Sequence, residues 1–139
     1  MELSRAVELA TSTHNGVLVT IKSDGRPQLS NITHVVGSDG IIRISVTDGR
    51  AKSANLRRDP RASLYLSRSD FWAYVVIEGS AELSSAAAAT DDATVDELVE
   101  LYRDAQGEHP DWAEYRQAMV DDRRLVIRLR PERAYGMWS

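Results

Sequence analysis

The segment from Gly16 to Pro60 constrains the fold more than any other part of the sequence, because its apolar residues recur with a period of two. That spacing is typical of pleated strands, in which successive side chains point to opposite faces. Three strands are predicted here, over residues 16–22, 28–36 and 42–47. The tripeptides Ser23-Asp24-Gly25 and Ser38-Asp39-Gly40 separate them, and Asp and Gly favour tight turns. The segment therefore predicts consecutive antiparallel strands.

Three more strands are predicted after Pro60, over residues 61–67, Phe71–Leu83 and Arg124–Arg130. The middle one is much longer than an ordinary strand, so we expect it to bend at Gly79 and to curl around a barrel. Its odd-numbered residues are apolar or small and are assigned to the core, which leaves Trp72 and Tyr74 on the other face. Large aromatic side chains on such a face need a partner molecule or a ligand.

Helices are predicted around the strands. The first covers residues 2–10 with Leu3, Val7 and Ala10 turned inward, the second runs from a cap at Thr90 or Asp91 to Gln106, and the third follows Pro110. In the third, Trp112, Tyr115 and Met119 recur at helical spacing and are assigned to the packed face. The fold class is α+β, with one domain over residues 1–139 built on a small antiparallel barrel of six or seven strands with peripheral helices.

Composition excludes several classes of function. The net charge of −4 argues against a general nucleic-acid-binding protein, since such proteins usually carry a basic excess. The absence of cysteine excludes disulfides, thiolate metal sites and thiol catalysis. The three histidines show no metal-ligand spacing, so no metal is predicted. No apolar run has the length of a signal peptide or a membrane helix, which predicts a cytoplasmic protein without membrane insertion.

Positive charge is concentrated in one place. Between Arg50 and Arg61 there are five basic residues and one acid, and Arg50 and Lys52 occupy the first turn of a short predicted helix. Basic side chains at a helix N-terminus add to its partial positive charge, so an anion at this position would resolve the conflict. Two cations beside free helix N–H groups could bind a phosphate. The alternative is a solvated basic helix paired with surface acids.

Polar residues within the second and third strands are candidates for contacts with a ring. Gln28, Ser30 and Asn31 could bond the polar edge of a heterocycle, and Ser45 and Thr47 are small enough to let a flat ring approach the backbone. Ordinary surface or turn-proximal residues would have the same composition. No Gly-x-Ser-x-Gly, His-Glu-x-x-His or phosphate-binding Gly-x-x-x-x-Gly-Lys motif is present. If the protein is an enzyme, a cofactor is therefore expected to carry the chemistry, and the catalytic residues are not predicted.

Several segments, in this order and spacing, resemble the pyridoxamine 5′-phosphate oxidase-like split β-barrel family, and most closely its actinobacterial branch that uses the deazaflavin coenzyme F420. The segments are residues 16–21, 24–31, 50–63, 78–81, 101–103 and 115–119. The resemblance therefore extends over nearly the whole chain. It implies a homodimer of six-stranded split barrels with two cofactor sites at the subunit interface.

The resemblance also implies which residues bind the cofactor. The phosphate would lie against Arg50, Ala51, Lys52 and Asn55, the ring along Gln28, Leu29, Ser30, Asn31, Ser45, Val46 and Thr47, and the second subunit would contribute Trp72 and Tyr74. Arg57, Arg58 or the arginines of the last strand could pair with the anionic tail of F420. FMN is the alternative cofactor. Haem, which some relatives bind, is disfavoured because no histidine stands out as an axial ligand.

The function predicted on this basis is an F420-dependent reductase that passes a hydride to an electron-poor acceptor, such as a quinone, a tetrapyrrole or a conjugated carbonyl compound. The alternatives are an FMN-binding oxidoreductase and a protein that binds F420 or a flavin without catalysis. Pyridoxamine phosphate oxidation itself is disfavoured, because the residues that would bind the substrate phosphate cannot be placed in this chain.

Overall fold

Six antiparallel strands close into a barrel in a computed structural model that describes residues 1–139. The strands are β1 (Asn15–Ile21), β2 (Pro27–Val36), β3 (Ile42–Thr47), β4 (Arg61–Ser67), β5 (Tyr74–Leu83) and β6 (Arg124–Met137). The helices are α1 (Leu3–Thr11), α2 (Ala51–Arg58), α3 (Ala93–Gln106) and α4 (Trp112–Asp121). Around the barrel the strands lie in the order β1-β2-β3-β6-β5-β4. The predicted α+β split barrel with peripheral helices is confirmed. None of the helices is both long and apolar enough to cross a bilayer.

The barrel interior is filled by the alternate side chains that the period of two predicted. Leu18, Ile44, Leu64, Ile77 and Ile127 are all fully buried in one cluster. Helices α1 and α2 pack against the same cluster through small and apolar residues. A second, smaller cluster lies on the outside of the barrel, where α3 and α4 cover Val35 of β2 and Val126 of β6. The helical pair therefore covers the side of the barrel formed by β2, β3 and β6.

The barrel is split between β2 and β3. These strands pair only from His34 to Val36, opposite Ile44 to Ile42, and beyond that point they separate. β3 pairs along its whole length with β6, so that Thr47 lies opposite Arg124. The diverging part of β2 and the C-terminal half of β3 thus leave an opening in the sheet, and the helix α2 begins directly below it.

Two predicted strand ends are wrong, and one predicted bend is confirmed. β5 begins at Tyr74 and not at Phe71, which lies in the turn after β4 with a φ of 70° and is 81% exposed. β6 does not stop before Pro131 but continues to Met137, which makes it the longest strand. Pro131 is tolerated because it lies opposite Gly79, where the register between β5 and β6 shifts. This irregularity is a β-bulge whose extra residue is Glu132 of β6, and it lies at Gly79, the position predicted for the bend.

Two helix predictions also need correction. The buried face of α1 consists of Ala6, Leu9 and Ala10, whereas Leu3 and Val7 are only partly buried. The strand β2 reaches the helix from the side of Ala10, where His34 contacts its last turn. Helix α3 is capped by Asp92, whose carboxylate accepts from the Val95 N–H at 2.8 Å, and not by Thr90 or Asp91. Its predicted end at Gln106, followed by Gly107, is confirmed.

His34 ties α1 to the barrel and should make stability depend on pH. It is fully buried, its Nε2–H donates to the carbonyl oxygen of Ala10 at 3.0 Å, and Nδ1 has no partner. Burial lowers the pKa of His34 below its usual 6.5, and the charge of nearby His14 lowers it further, while the bond to Ala10 acts in the opposite direction. The folded state therefore binds fewer protons than the unfolded state below pH 6.5.

We expect the stabilisation from neutral His34 to be complete above pH 6.5 and to be lost as the pH falls towards its lowered folded pKa. For one proton the slope is at most about 1.4 kcal/mol per pH unit. The free energy of unfolding in urea, measured from pH 7.5 to 5, should therefore fall more steeply for the wild type than for His34→Gln, which retains a donor for Ala10. If the free energy of unfolding of the two proteins fell equally with pH, groups other than His34 would cause the loss of stability in acid.

Candidate cofactor site

A cavity of about 550 Å³ opens where β2 and β3 separate. One wall consists of strand residues 31–33 and 45–47, and a second consists of residues from α3 and α4. Arg50, Lys52 and Arg124 are its charged residues, and no carboxylate lines it. The cavity therefore combines a polar strand edge, an apolar helical wall and an excess of positive charge.

The start of α2 forms the cationic corner of this cavity. Arg50 is the extended N-cap residue, and its Nε donates to Thr47 Oγ1 at 3.1 Å. The backbone N–H groups of Ala51 and Lys52 donate to no protein acceptor. The hydroxyl of Ser53 donates to the carbonyl oxygen of Thr47 at 3.1 Å, which holds the helix start against the end of β3. Two side-chain cations that line the cavity and two N–H groups without a protein acceptor thus lie within one turn of chain.

Lys52 is in an environment that disfavours its charge. Burial lowers the pKa of Lys52, and the positive charges of Arg50 and Arg124 lower it further. Neither Lys52 nor Arg50 forms an ion pair with a carboxylate. Uncompensated charge at a half-buried position is costly unless an anion offsets it. The predicted alternative, a basic helix paired with surface acids, applies to Arg57, which binds Asp48, but not to this pair.

Arg124 is a cation of the cavity that the sequence did not single out. The alternation of β6 places Arg124, Arg128 and Arg130 on the outside, and no local signal separates them. Only Arg124 lies opposite Thr47 and lines the cavity. Its Nε is buried without a hydrogen-bond partner, and its one ion pair, with Asp122, is long at 3.8 Å.

The sequence patterns also did not identify the helical wall of the cavity. Leu101, Tyr102, Ala105 and Gln106 of α3 and Tyr115 and Met119 of α4 face the cavity. The prediction that Tyr115 and Met119 belong to the helix core is partly right, because both also pack in the second hydrophobic cluster. The hydroxyl of Tyr115 donates to the carbonyl oxygen of Leu98 at 3.0 Å, and burial raises the pKa of this phenol to about 12. The spacing of residues 101, 102, 105 and 106, which places them on one face of α3, was the sequence signal from which this wall could have been predicted.

Glu97 clamps α3, and hence this wall, to the barrel. Its carboxylate accepts from Arg43 Nε of β3 at 2.9 Å and from Arg128 Nε of β6 at 2.8 Å, and its side chain is only 16% exposed. The hydrogen bonds from Arg128 and then from Arg43 lower the pKa of Glu97. Arg128, a predicted counter-charge for an anionic tail, is therefore engaged in a structural contact.

We expect Glu97→Ala to lower the free energy of unfolding by about 1–3 kcal/mol, because two half-buried guanidinium groups lose their shared acceptor. Urea denaturation followed by circular dichroism measures this change. Glu100→Ala is the matched control, since Glu100 lies on the same helix and pairs with Arg103 at the exposed surface. Its effect should stay within about 0.5 kcal/mol. Equal effects of the two substitutions would contradict the clamp.

The cavity brings together six of the predicted cofactor residues. These are Asn31, Ser45, Val46, Thr47, Arg50 and Lys52. Six other predicted residues do not line the cavity in the single chain: Gln28, Leu29, Ser30, Asn55, Trp72 and Tyr74. Ala51 can contribute only its backbone N–H, at the start of α2. Asn55 is buried and donates from Nδ2 to Thr20 Oγ1 at 3.1 Å, and Thr20 in turn donates to Gln28 Oε1 at 3.1 Å. This chain links α2 to β1 and β2.

Two further predicted counter-charges are engaged within the chain. Arg57 is held by Asp48, and Arg58 donates to the carbonyl oxygen of Ile21 and to Asn55. Arg130 is exposed on β6 and does not line the cavity. Of the arginines proposed from the sequence as partners for an anionic tail, Arg124 alone lies at the cavity.

An apolar outer face of the sheet adjoins the cavity. The cross-strand row Asn31–Val17–Tyr65–Val76–Tyr135 runs over four strand pairs, and the ring of Tyr74 stacks on Tyr65 with centroids 6.0 Å apart. Trp72 and Met137, at the end of this face, are 82% and 68% exposed. A second hollow of about 520 Å³ on this face shares residues 31–33 with the cavity. Large apolar side chains exposed in this number are typical of an interaction surface.

Comparison with known proteins gives a family and several solved structures. A family model described as pyridoxamine 5′-phosphate oxidase matches residues 4–138. A conserved hypothetical protein from Mycobacterium tuberculosis is 26% identical with a TM-score of 0.76, over 99% of this chain and 84% of that chain. An F420 reductase is 20% identical with a TM-score of 0.69, over 92% of this chain and 94% of that chain. A heme-binding protein from Mycobacterium smegmatis is 26% identical with a TM-score of 0.61, over 98% of this chain but 52% of that chain.

Proposed function

The chain belongs to the pyridoxamine 5′-phosphate oxidase family, and from this premise we propose that it is a reductase that uses the reduced deazaflavin coenzyme F420 to reduce an electron-poor small molecule. The observation that carries the proposal is the cationic corner at the start of α2, which opens into a cavity large enough for a ring system. A phosphate group bearing a planar redox ring would offset the charges of Arg50 and Lys52.

The residues of the cavity fit such a coenzyme. Arg50, Lys52 and the free N–H groups of Ala51 and Lys52 would hold the phosphate, because they supply donors and positive charge with no competing carboxylate. Strand residues 31–33 and 45–47 would hold the ring, since β2 and β3 lie too far apart there to pair with each other. When bound, the reduced ring supplies a hydride, and the acceptor takes a proton from solvent. The protein contributes binding, orientation and a partly dry environment.

Two other cofactors need to be compared with F420. FMN also carries a phosphate group and a similar tricyclic ring, so the same residues would serve it. The choice of F420 is supported by the sequence resemblance, and a solved F420 reductase has the same fold. Haem fits less well, although a heme-binding protein is among the similar structures, because no histidine lines the cavity. His34 is buried against Ala10, and His109 packs in an aromatic cluster with Tyr102.

Titration of the purified protein with oxidised F420, followed by ring fluorescence and with FMN as competitor, tests the cofactor. We expect saturable F420 binding that FMN displaces only at higher concentration. Consumption of reduced F420 with a panel of quinones and conjugated carbonyl compounds then tests the reaction. Preference for FMN would overturn the deazaflavin version, and tight binding without turnover over the whole panel would favour a binding protein.

The proposal includes a homodimer in which a second copy covers the apolar outer face. This face adjoins the cavity through Asn31, so a partner there could bring its Trp72 and Tyr74 to the cofactor, as the family resemblance implies. Trp72 is too exposed to be stabilised within one chain, and burying it and Met137 in an interface would supply hydrophobic free energy.

We expect sedimentation equilibrium to show a dimer for the wild type and a monomer for the double variant Trp72→Glu/Met137→Glu, because two buried charges would oppose association. F420 affinity should fall together with dimerisation. Ala113→Glu, at an exposed position on α4, is the control and should remain dimeric. A monomeric wild type, or a dimeric double variant, would contradict this interface.

A further inference from the structure

Arg124 is a surplus cation in the cavity. A phosphate group carries at most about two negative charges, and Arg50 and Lys52 together with the α2 N–H groups can offset them. Arg124 comes from a different element, β6, and is placed beside this corner by its pairing with Thr47. No acidic residue lines the cavity, and the contact of Arg124 with Asp122 is long. One guanidinium group is therefore left without a close anionic partner.

The helical wall of the cavity is mainly aromatic and apolar. The rings of Tyr102 and Tyr115 pack against each other with centroids 5.0 Å apart, and the bond from Tyr115 to Leu98 fixes their position. Met119 completes the surface, and Gln106 offers one amide. Arg124 lines the same cavity as Tyr102, Tyr115 and Met119, so its guanidinium group and this wall face one space. An aromatic surface beside a cation suits a planar conjugated molecule that bears a carboxylate.

We infer that the acceptors of this protein are planar conjugated acids, with the ring against Tyr102 and Met119 and the carboxylate paired with Arg124. The inference rests on the proposed function, because only a reductase has an acceptor. It assigns the coenzyme to the strand side of the cavity and the acceptor to the helical side. Arg124 is then a specificity-determining residue: it selects acidic acceptors and leaves the coenzyme phosphate to Arg50 and Lys52.

The test compares Arg124→Gln with Arg130→Gln, which removes the same charge from an exposed position of the same strand. Binding of naphthoate and naphthamide to each protein, followed by NMR, isolates the carboxylate because the two ligands share their ring. We expect the wild type and Arg130→Gln to prefer naphthoate by about tenfold and Arg124→Gln to lose that preference. Arg124→Lys, which keeps the charge, should retain most of it.

The coenzyme provides the second readout. Affinity for F420 and FMN should fall much less in Arg124→Gln than in Lys52→Ala, while KM for a carboxylated naphthoquinone, but not for the neutral quinone, should rise about tenfold. A naphthoate preference that survives Arg124→Gln would overturn the inference. So would a loss of coenzyme affinity in that variant as large as the loss in Lys52→Ala, because Arg124 would then bind the coenzyme itself. The naphthoate measurement needs no coenzyme, so failure of the wild type to bind F420 or FMN would refute the proposed function separately.

Discussion

Lys52→Ala is expected to weaken binding of F420, or of FMN, by about 1–3 kcal/mol, which corresponds to about 5- to 150-fold in Kd. Lys52 is half-buried at the cationic corner, and burial together with Arg50 and Arg124 already lowers its pKa. A bound phosphate would reverse that destabilisation of the charge. The substitution should therefore cost binding energy without costing stability, because in the free protein it removes a mutual repulsion.

Lys22 provides the matched control, since it is the other lysine of the chain and lies exposed in the turn after β1. Lys22→Ala should leave both coenzyme affinity and the unfolding midpoint unchanged. Fluorescence titration and urea denaturation of the two variants separate binding from folding. If Lys52→Ala bound the coenzyme as tightly as the wild type, the phosphate would have to lie elsewhere, and the proposed function would lose the observation that carries it.

Gly79→Ala is expected to lower the free energy of unfolding by about 3 kcal/mol or more, because overpacking against backbone cannot be relieved by a side-chain rotation. A Cβ at this position would lie 2.0 Å from the carbonyl oxygen of Arg130 and 2.9 Å from its carbonyl carbon. The close approach arises where the β5–β6 register shifts, opposite Pro131. A methyl group would separate the two strands with the most extensive pairing in the barrel.

Gly49→Ala is the control for this prediction, since a Cβ there would meet no atom within 4 Å. Its effect on stability should stay within about 0.5 kcal/mol. Urea denaturation of both variants, with the oligomeric state checked in parallel, measures the difference. Equal stability of the two variants would mean that β5 and β6 do not approach each other as closely as the bulge requires.

Local patterns determined most of the fold. The period of two in residues 16–22 and 42–47, the Ser-Asp-Gly turns and the Gly79 bend all appear in the structure, because strand alternation and turn chemistry act between near neighbours. The two errors in strand ends have different causes: the bulge between β5 and β6 overrides the local signal of Pro131, and a local turn closed by the bond from the Phe71 N–H to the Arg68 carbonyl oxygen delays the start of β5. Pro131 reads as a strand end, yet β6 continues because a β-bulge beside Pro131, with Glu132 as its extra residue, keeps the later residues of β6 paired with β5. Phe71 reads as the start of a strand, but it lies in a turn.

The candidate site divides in the same way. Arg50 and Lys52 could be read from the sequence, because two cations at a helix start conflict with the helix dipole within one turn of chain. Arg124 could not, since nothing near it in sequence distinguishes it from the other arginines of β6. The spacing of residues 101, 102, 105 and 106 places Tyr102 on one helix face, but it does not show that this face lines a cavity. The roles of both residues depend on the pairing of Thr47 with Arg124 and on the clamp from Glu97 to Arg43 and Arg128.

The sequence by itself thus determined an α+β barrel and one cationic corner, since both arise from interactions over a few residues. Only the tertiary structure decided where β2 and β3 part, which arginine reaches the corner and which helices enclose it. These features depend on contacts between residues as far apart as Arg43 and Glu97, or Thr47 and Arg124, and such contacts form only when the strands have paired and the helices have docked.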